Sequence, residues 1–391
     1  MLPALRSDLE VMPSPVADRP GILIRDPMRY SNAVLIIPYA FAGALECFDG
    51  QHSELDLRAA GDSGLQLLDA LRESAFLEDE IFAERRGARE REFAAAEVRE
   101  PCHAGSGYPV EAGALQETMR GYVDRGSLTA QSETIAIAAP HVSPFGGWQS
   151  YQAAYQRLPR DAGDRTFVIL GTSHYGPMDK FGLTRKRFRT PLGETRPNTE
   201  LINRLSTRAA TAITEEDYCH SVEHSIEFQV VFLQWLYGPG IKVAPILCGS
   251  FARSIYLGGK PEENDAINRF IGELGEIDAQ AGGKLVWVLG VDMAHIGRRY
   301  GDAVPARAHS DHMIEVAERD RARNERVAAG DADGFWDLIQ QNRDDLRWCG
   351  SAPFYTFLRA VRGIQGKVER YEQWNIDEAS VVSFAGISFT R

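Results

Sequence analysis

Ligand-type side chains close three of the apolar runs in this chain. His141 follows "TIAIAAP", His174 follows "TFVILGTS", and Asp292 and His295 end the run "KLVWVLGVDMAH". A further stretch, "CHSVEHSIEFQVVFLQWLYG", reads as a helix that carries His220, His224 and Glu227 at spacings of four and three, so on roughly one face. Imidazoles and carboxylates bind divalent transition metals, and histidine also moves protons near neutral pH. A single histidine after a strand is ordinarily a loop residue bonded to a backbone carbonyl. It is the repetition that calls for a common explanation. The remaining histidines, such as His52, His103, His309 and His312, lack this placement.

The elements that must position these residues are legible as a pattern. "TIAIAAP", "TFVILGTS", "KVAPILCGS" and "KLVWVLGVD" are near-continuous apolar runs separated by helical stretches. Such runs mark strands buried on both faces, which predicts an α/β domain with a mostly parallel sheet between helical layers. In open parallel sheets, ligands sit beyond the carboxyl ends of the strands, where loops converge and helix N-termini point outward. Separate strand ends and one helix N-terminus would thus deliver imidazoles and a carboxylate to one pocket. Phe145, Trp148 and Tyr175 lie beside the two strand-end histidines in sequence and, with Glu227, are expected to wall it for a planar or apolar substrate.

Composition narrows the function classes. The 391 residues carry a formal net charge of −12, which argues against a phosphate-tracking surface and so against nucleic acid as a partner. The longest apolar runs, such as "AVLIIPYAFAGAL", are broken by proline or end near charges, so no membrane span is expected. Five widely separated cysteines without a C-x-x-C pair fit reduced thiols, and the chain reads as cytoplasmic. Residues 1–80 form a small, mainly helical module holding six Arg and no Lys against fourteen Asp or Glu, a formal balance of −8. That balance favours protein or peptide contact over DNA. Residues 81–97, of mixed charge and with few large apolar side chains, are expected as a helical linker, and residues 98–391 as the α/β domain.

The ordered set "APH", "VILGTSH", "TPLGE", "EHSIEFQ", "VAPILCGS" and "VDMAHIG", opened by "REPCHAGSGYP", resembles the Memo family, also called AmmeMemoRadiSam system protein B. That family is a relative of the class III extradiol dioxygenases of LigB type. The resemblance covers roughly residues 98–391 and implies a three-layer αβα domain. The segment ahead of the linker looks like the small winged-helix-like, PqqD-type module found before some bacterial members. Carried over by position, the family pattern puts metal-ligand histidines at His141 and His174 and the dioxygenase-like helix histidine at His224. The position two residues after Asp292, a cysteine in human-type members, is Ala294 here, so a third ligand must come from Asp292, His295, His224 or water. The expected metal set is His141, His174 and Asp292, with His224 and His295 as acid/base groups. The family name further implies radical-SAM and AMMECR-type proteins as partners.

Two histidines and a carboxylate would suit non-haem iron, leaving positions for a catecholate and dioxygen. The same site with zinc would serve hydrolysis, and copper is a further option for the metal. A pocket without any metal could instead bind a phosphate, a carboxylate or a peptide terminus without catalysis.

Overall fold

The computed structural model describes residues 1–59, 64–128 and 133–391. It divides into two compact units, Met1–Ala96 and Glu97–Arg391. Among the described residues, no helix is long and apolar enough to cross a membrane.

The first unit opens with an antiparallel sheet of β1 (Glu10–Pro13), β2 (Ile22–Arg25) and β3 (Val34–Ile37), in that order. Its longer helices are α1 (Gly64–Glu73) and α2 (Glu80–Ala95). Leu67, Leu68 and Leu71 lie on one stripe of α1 and close on Ile24, Ile37, Phe76 and Leu77. Residues 81–97, expected as a linker, are for the most part α2, which belongs to this unit. Asp79 caps the helix by accepting from the Phe82 amide at 3.0 Å, and α2 anchors itself through buried Phe82 and Phe93 while its charged faces stay in solvent.

The second unit is built on a parallel core of four strands: β4 (Ala136–Ala139), β5 (Thr166–Thr172), β8 (Lys242–Cys248) and β9 (Leu285–Gly290). Their spatial order is β8-β5-β9-β4. Every residue of β5 is buried, as its unbroken apolar composition requires for a strand covered on both faces. Antiparallel strands extend the sheet on both sides. β6 (Phe181–Leu183) pairs with β8, and β7 (Ile213–Glu215) runs parallel to β6. Beyond β4 stands the C-terminal hairpin of β11 (Gln365–Asp377) and β12 (Ser380–Thr390); β10 (His295–Gly297) pairs with the start of β12 on the same edge as β4, opposite β11. The sheet is therefore mixed, with its parallel strands at the centre. Helices α3 (Ala112–Tyr122), α4 (Pro144–Tyr155), α5 (His224–Tyr237), α6 (Asp265–Gln280), α7 (Asp311–Ala328) and α8 (Ser351–Ala360) pack around it.

One contact matters for everything that follows. Gly171 in β5 and Gly290 in the neighbouring β9 let the first turn of α5 settle directly onto the strand ends. A Cβ on Gly290 would run into the Ser225 carbonyl oxygen, and one on Gly171 would meet the Ser225 and Ile226 side chains. Ser225 Oγ donates to the Thr172 carbonyl at 2.8 Å, and Gln229 Nε2 donates to that of Pro140, also at 2.8 Å. The helix start is thereby locked to the ends of β5 and β4 that carry His174 and His141.

Candidate metal centre

His141, His174 and His224 converge. Their ring centroids form a near-equilateral triangle with sides of 5.0, 5.1 and 5.0 Å, and one ring nitrogen from each lies within 4.8 Å of the others. The tautomers follow from the partners. His141 Nδ1 sits 2.9 Å from the Gly290 carbonyl oxygen and His174 Nδ1 sits 2.9 Å from Glu223 Oε1. His224 Nδ1 is 3.2 Å from that same carboxylate oxygen. Carbonyl and carboxylate oxygens only accept, so Nδ1 carries the proton in His141 and His174 and their Nε2 atoms face the cluster as acceptors; the His224 ring forms no hydrogen bond among the described residues. That is the arrangement by which proteins orient histidines toward a metal.

Glu223 organises two of the three rings. It is the N-cap of α5, accepting from the amides of His224 at 2.9 Å and Ser225 at 3.3 Å, and its other oxygen accepts from the His174 amide at 2.9 Å. Burial works to raise its pKa, but the His174 imidazole and the hydrogen bonds it receives hold the carboxyl below the usual range. Burial pushes His141 down to about 3 and His224 well below an ordinary imidazole, so both are neutral and able to ligate near neutral pH. For His174 burial acts in the same direction, and the Glu223 charge overrides it and raises the group.

Three further groups stand around His141. Asp292 Oδ1 accepts from the His141 amide at 2.9 Å while Oδ2 lies 3.5 Å from Nε2, and burial pushes this carboxyl up to about 6. Cys349 Sγ lies 3.3 Å from the same Nε2. Burial, then the Asp292 charge, raise its thiol. His295 turns Nδ1 toward the carbonyls of Met293 at 2.9 Å and Arg347 at 3.2 Å, which leaves Nε2 as its basic atom; burial holds it at about 4.

The structure places the residues singled out in the sequence at different depths around the cluster. His224, expected as an acid/base group, completes the triad of imidazoles, and Asp292, expected as a ligand, stands beside it with one oxygen spent on a backbone amide. Ala294 is fully buried and its backbone is paired with Ser383, so the thiol near the cluster comes from Cys349, on a different loop. Glu227, expected in the pocket wall, is fully buried. It is buried in an ion pair with Arg99, takes the Tyr108 hydroxyl, and accepts from the amides of Cys102 at 3.1 Å and His103 at 2.9 Å. Phe145 is 81% exposed, and Trp148 stacks on Tyr122 of α3 with planes 6° apart. Tyr175 alone of the three aromatics is a neighbour of the cluster, its ring 6.2 Å from that of His174. His103 was passed over in the sequence, yet its ring stands 5.5 Å from that of His224. The Glu227 network brings it there, and the signal was "REPCHAGSGYP" itself.

The donor set fits a divalent metal: three imidazoles, with a thiol and a carboxyl beside one of them. A family profile described as "Memo-like protein" matches residues 99–388. A "MEMO1 family protein" of Aquifex aeolicus is 24% identical over 94% of this chain and 95% of its own length. Relatives of the same description from Thermococcus kodakarensis and Pyrococcus furiosus are each 27% identical, covering 75% and 65% of this chain and 100% and 83% of their own lengths. The α/β unit with its strand-end histidines and the matched profile give one conclusion: the chain belongs to the Memo-like family.

Proposed function

We propose that His141, His174 and His224 hold one divalent transition metal, iron foremost, and that the protein is a non-haem redox enzyme of dioxygenase-like chemistry acting on a small planar or peptide-borne group. The observation that carries this reading is the convergence of the three imidazoles. His141 and His174 commit Nδ1–H to acceptors, and one ring nitrogen from each of the three histidines gathers in one small space, an unfavourable arrangement until a cation occupies it.

When bound, iron supplies open coordination positions and redox reactivity toward dioxygen. The chain's own residues supply the rest. His295, held low by burial, keeps Nε2 free to take a proton, and Asp292, whose carboxyl burial pushes up to about 6, can hold or release one beside His141. Cys349 offers a soft donor that would favour iron or copper over harder cations. The association with radical-SAM and AMMECR-type proteins and the cytoplasmic setting, carried over from the sequence, belong to the same proposal.

A zinc hydrolase is the second reading, favoured by the ligand set itself, since three histidines are a known catalytic zinc site. The two separate cleanly. Protein purified without oxygen and loaded with Fe(II) should consume dioxygen when given a catechol, and the zinc-loaded form should not. Ester or amide hydrolysis by the zinc form, with no oxygen uptake by the iron form, would overturn the redox reading in favour of hydrolysis.

A further inference from the structure

Tyr300 stands against His295 with a hydroxyl that has no acceptor among the described residues. Its ring meets that of His295 edge-on, with centroids 4.9 Å apart and planes at 89°. It also packs against the buried cluster of Val142, the residue after His141, with Val382 and Phe384. Its hydroxyl is in electrostatic reach of Arg299 and Asp377, and of Asp292 and Cys349, the two groups beside His141 Nε2. The residue is half-buried, so part of it is open rather than sealed in the core.

The backbone holds Tyr300 firmly. β10 ends at Gly297, whose φ of 116° and approach to Ala379 leave no room for a side chain. The single turn Arg298–Tyr300 follows and is closed by Gly301 at φ 88°, while the Arg299 amide donates to Ser380 Oγ at 3.0 Å. Around it His295 Nδ1 is taken by two carbonyls, Asp292 Oδ1 by an amide and His141 Nδ1 by a carbonyl, while His295 Nε2 and Asp292 Oδ2 stay open to a ligand. A fixed phenol left without a partner in such surroundings is a donor available to whatever binds there.

We propose that the Tyr300 hydroxyl donates a hydrogen bond to an anionic oxygen of the ligand at the histidine cluster, and so selects phenolates, carboxylates and similar oxyanions over neutral molecules of the same shape. The inference rests on the metal-site reading. It assigns Tyr300 to ligand contact, with no part in holding the metal. A charge-assisted bond of this kind is the sort that discriminates between otherwise similar ligands.

The test uses the full chain and its Tyr300→Phe variant, both loaded with Fe(II) without oxygen and titrated with 4-nitrocatechol, whose visible absorption changes on ionisation and binding. Phenylalanine keeps the ring packed on His295 and the Val142 cluster, so melting temperature and metal content should match the wild type. The expected result is about tenfold weaker binding of 4-nitrocatechol by the variant, with a shifted band for the bound form. Equal affinities and identical spectra, or no binding by metal-loaded wild type, would overturn the assignment of Tyr300 while leaving the metal site standing. Absence of metal from the wild type would instead mark failure of the metal-site reading, and the role of Tyr300 would fall with it.

Discussion

Glu223 holds His174 at two points, accepting from its backbone amide through Oε2 and from its ring Nδ1–H through Oε1, each at 2.9 Å. The same Oε1 accepts from the His224 amide, so one carboxylate fixes the positions of two neighbouring rings. Replacement by glutamine keeps the size but introduces an N–H₂ that can donate to Nδ1 and turn the protonated Nε2 inward. Glu223→Gln should therefore weaken metal affinity by about 10- to 100-fold. Competition with a chromophoric chelator measures this, and an unchanged affinity would remove Glu223 from the account.

Cys349 makes a spectroscopic prediction. Nitrogen and sulfur ligands sharing a tetrahedral metal lie about 3.6 Å apart, given bond lengths of about 2.1 and 2.3 Å. The 3.3 Å between Cys349 Sγ and His141 Nε2 is close to that separation. Protein loaded with Co(II) should show thiolate-to-metal absorption in the near ultraviolet, and Cys349→Ser should lose that band while retaining cobalt on its histidines. Identical spectra would mean that the thiol stays out of the coordination sphere.

Asp344 sets a pH dependence away from the metal. Burial pushes its carboxyl from 3.8 up to about 7, against the pull of the Trp348 amide. The folded state thus holds a proton that the unfolded chain has released, so this group's contribution is complete below pH 3.8 and is lost as pH rises through about 7. The slope is at most about 1.4 kcal/mol per pH unit. Asparagine accepts from the same amide and tolerates the left-handed backbone, φ 53°, at this position. Asp344→Asn should melt above the wild type at about pH 8 and with it at about pH 4. Parallel melting curves across that range would contradict the assignment.

Much of the α/β unit was written in its apolar runs. The four central strands stand where "TIAIAAP", "TFVILGTS", "KVAPILCGS" and "KLVWVLGVD" placed them, because a strand buried on both faces needs such a run. The hairpin of β11 and β12 escaped notice. β11, "QGKVERYEQWNID", is largely polar and partly exposed along its length, so its sequence lacks a buried strand's signature. In the site, the spacing of His220, His224 and Glu227 misled because it assumed one continuous helix. α5 begins only at His224; His220 sits in the preceding turn with Nε2 on the Gly182 carbonyl. The helix break made Glu223 the cap and turned Glu227 to Arg99. Cys349 is 208 residues from His141, and nothing local to it announces a partner that only the tertiary fold supplies.

The metal content of the protein purified without oxygen, alongside His141→Ala, His174→Ala and His224→Ala, tests the central claim most directly. Each histidine lies at the end of a strand or the start of a helix, so the variants should stay folded by circular dichroism and run like the wild type on gel filtration. The account predicts close to one divalent ion per wild-type chain, with iron the best retained, and loss of most of it in every variant. Wild-type occupancy in all three folded variants, or a wild-type chain that takes up no metal on reconstitution, would contradict it.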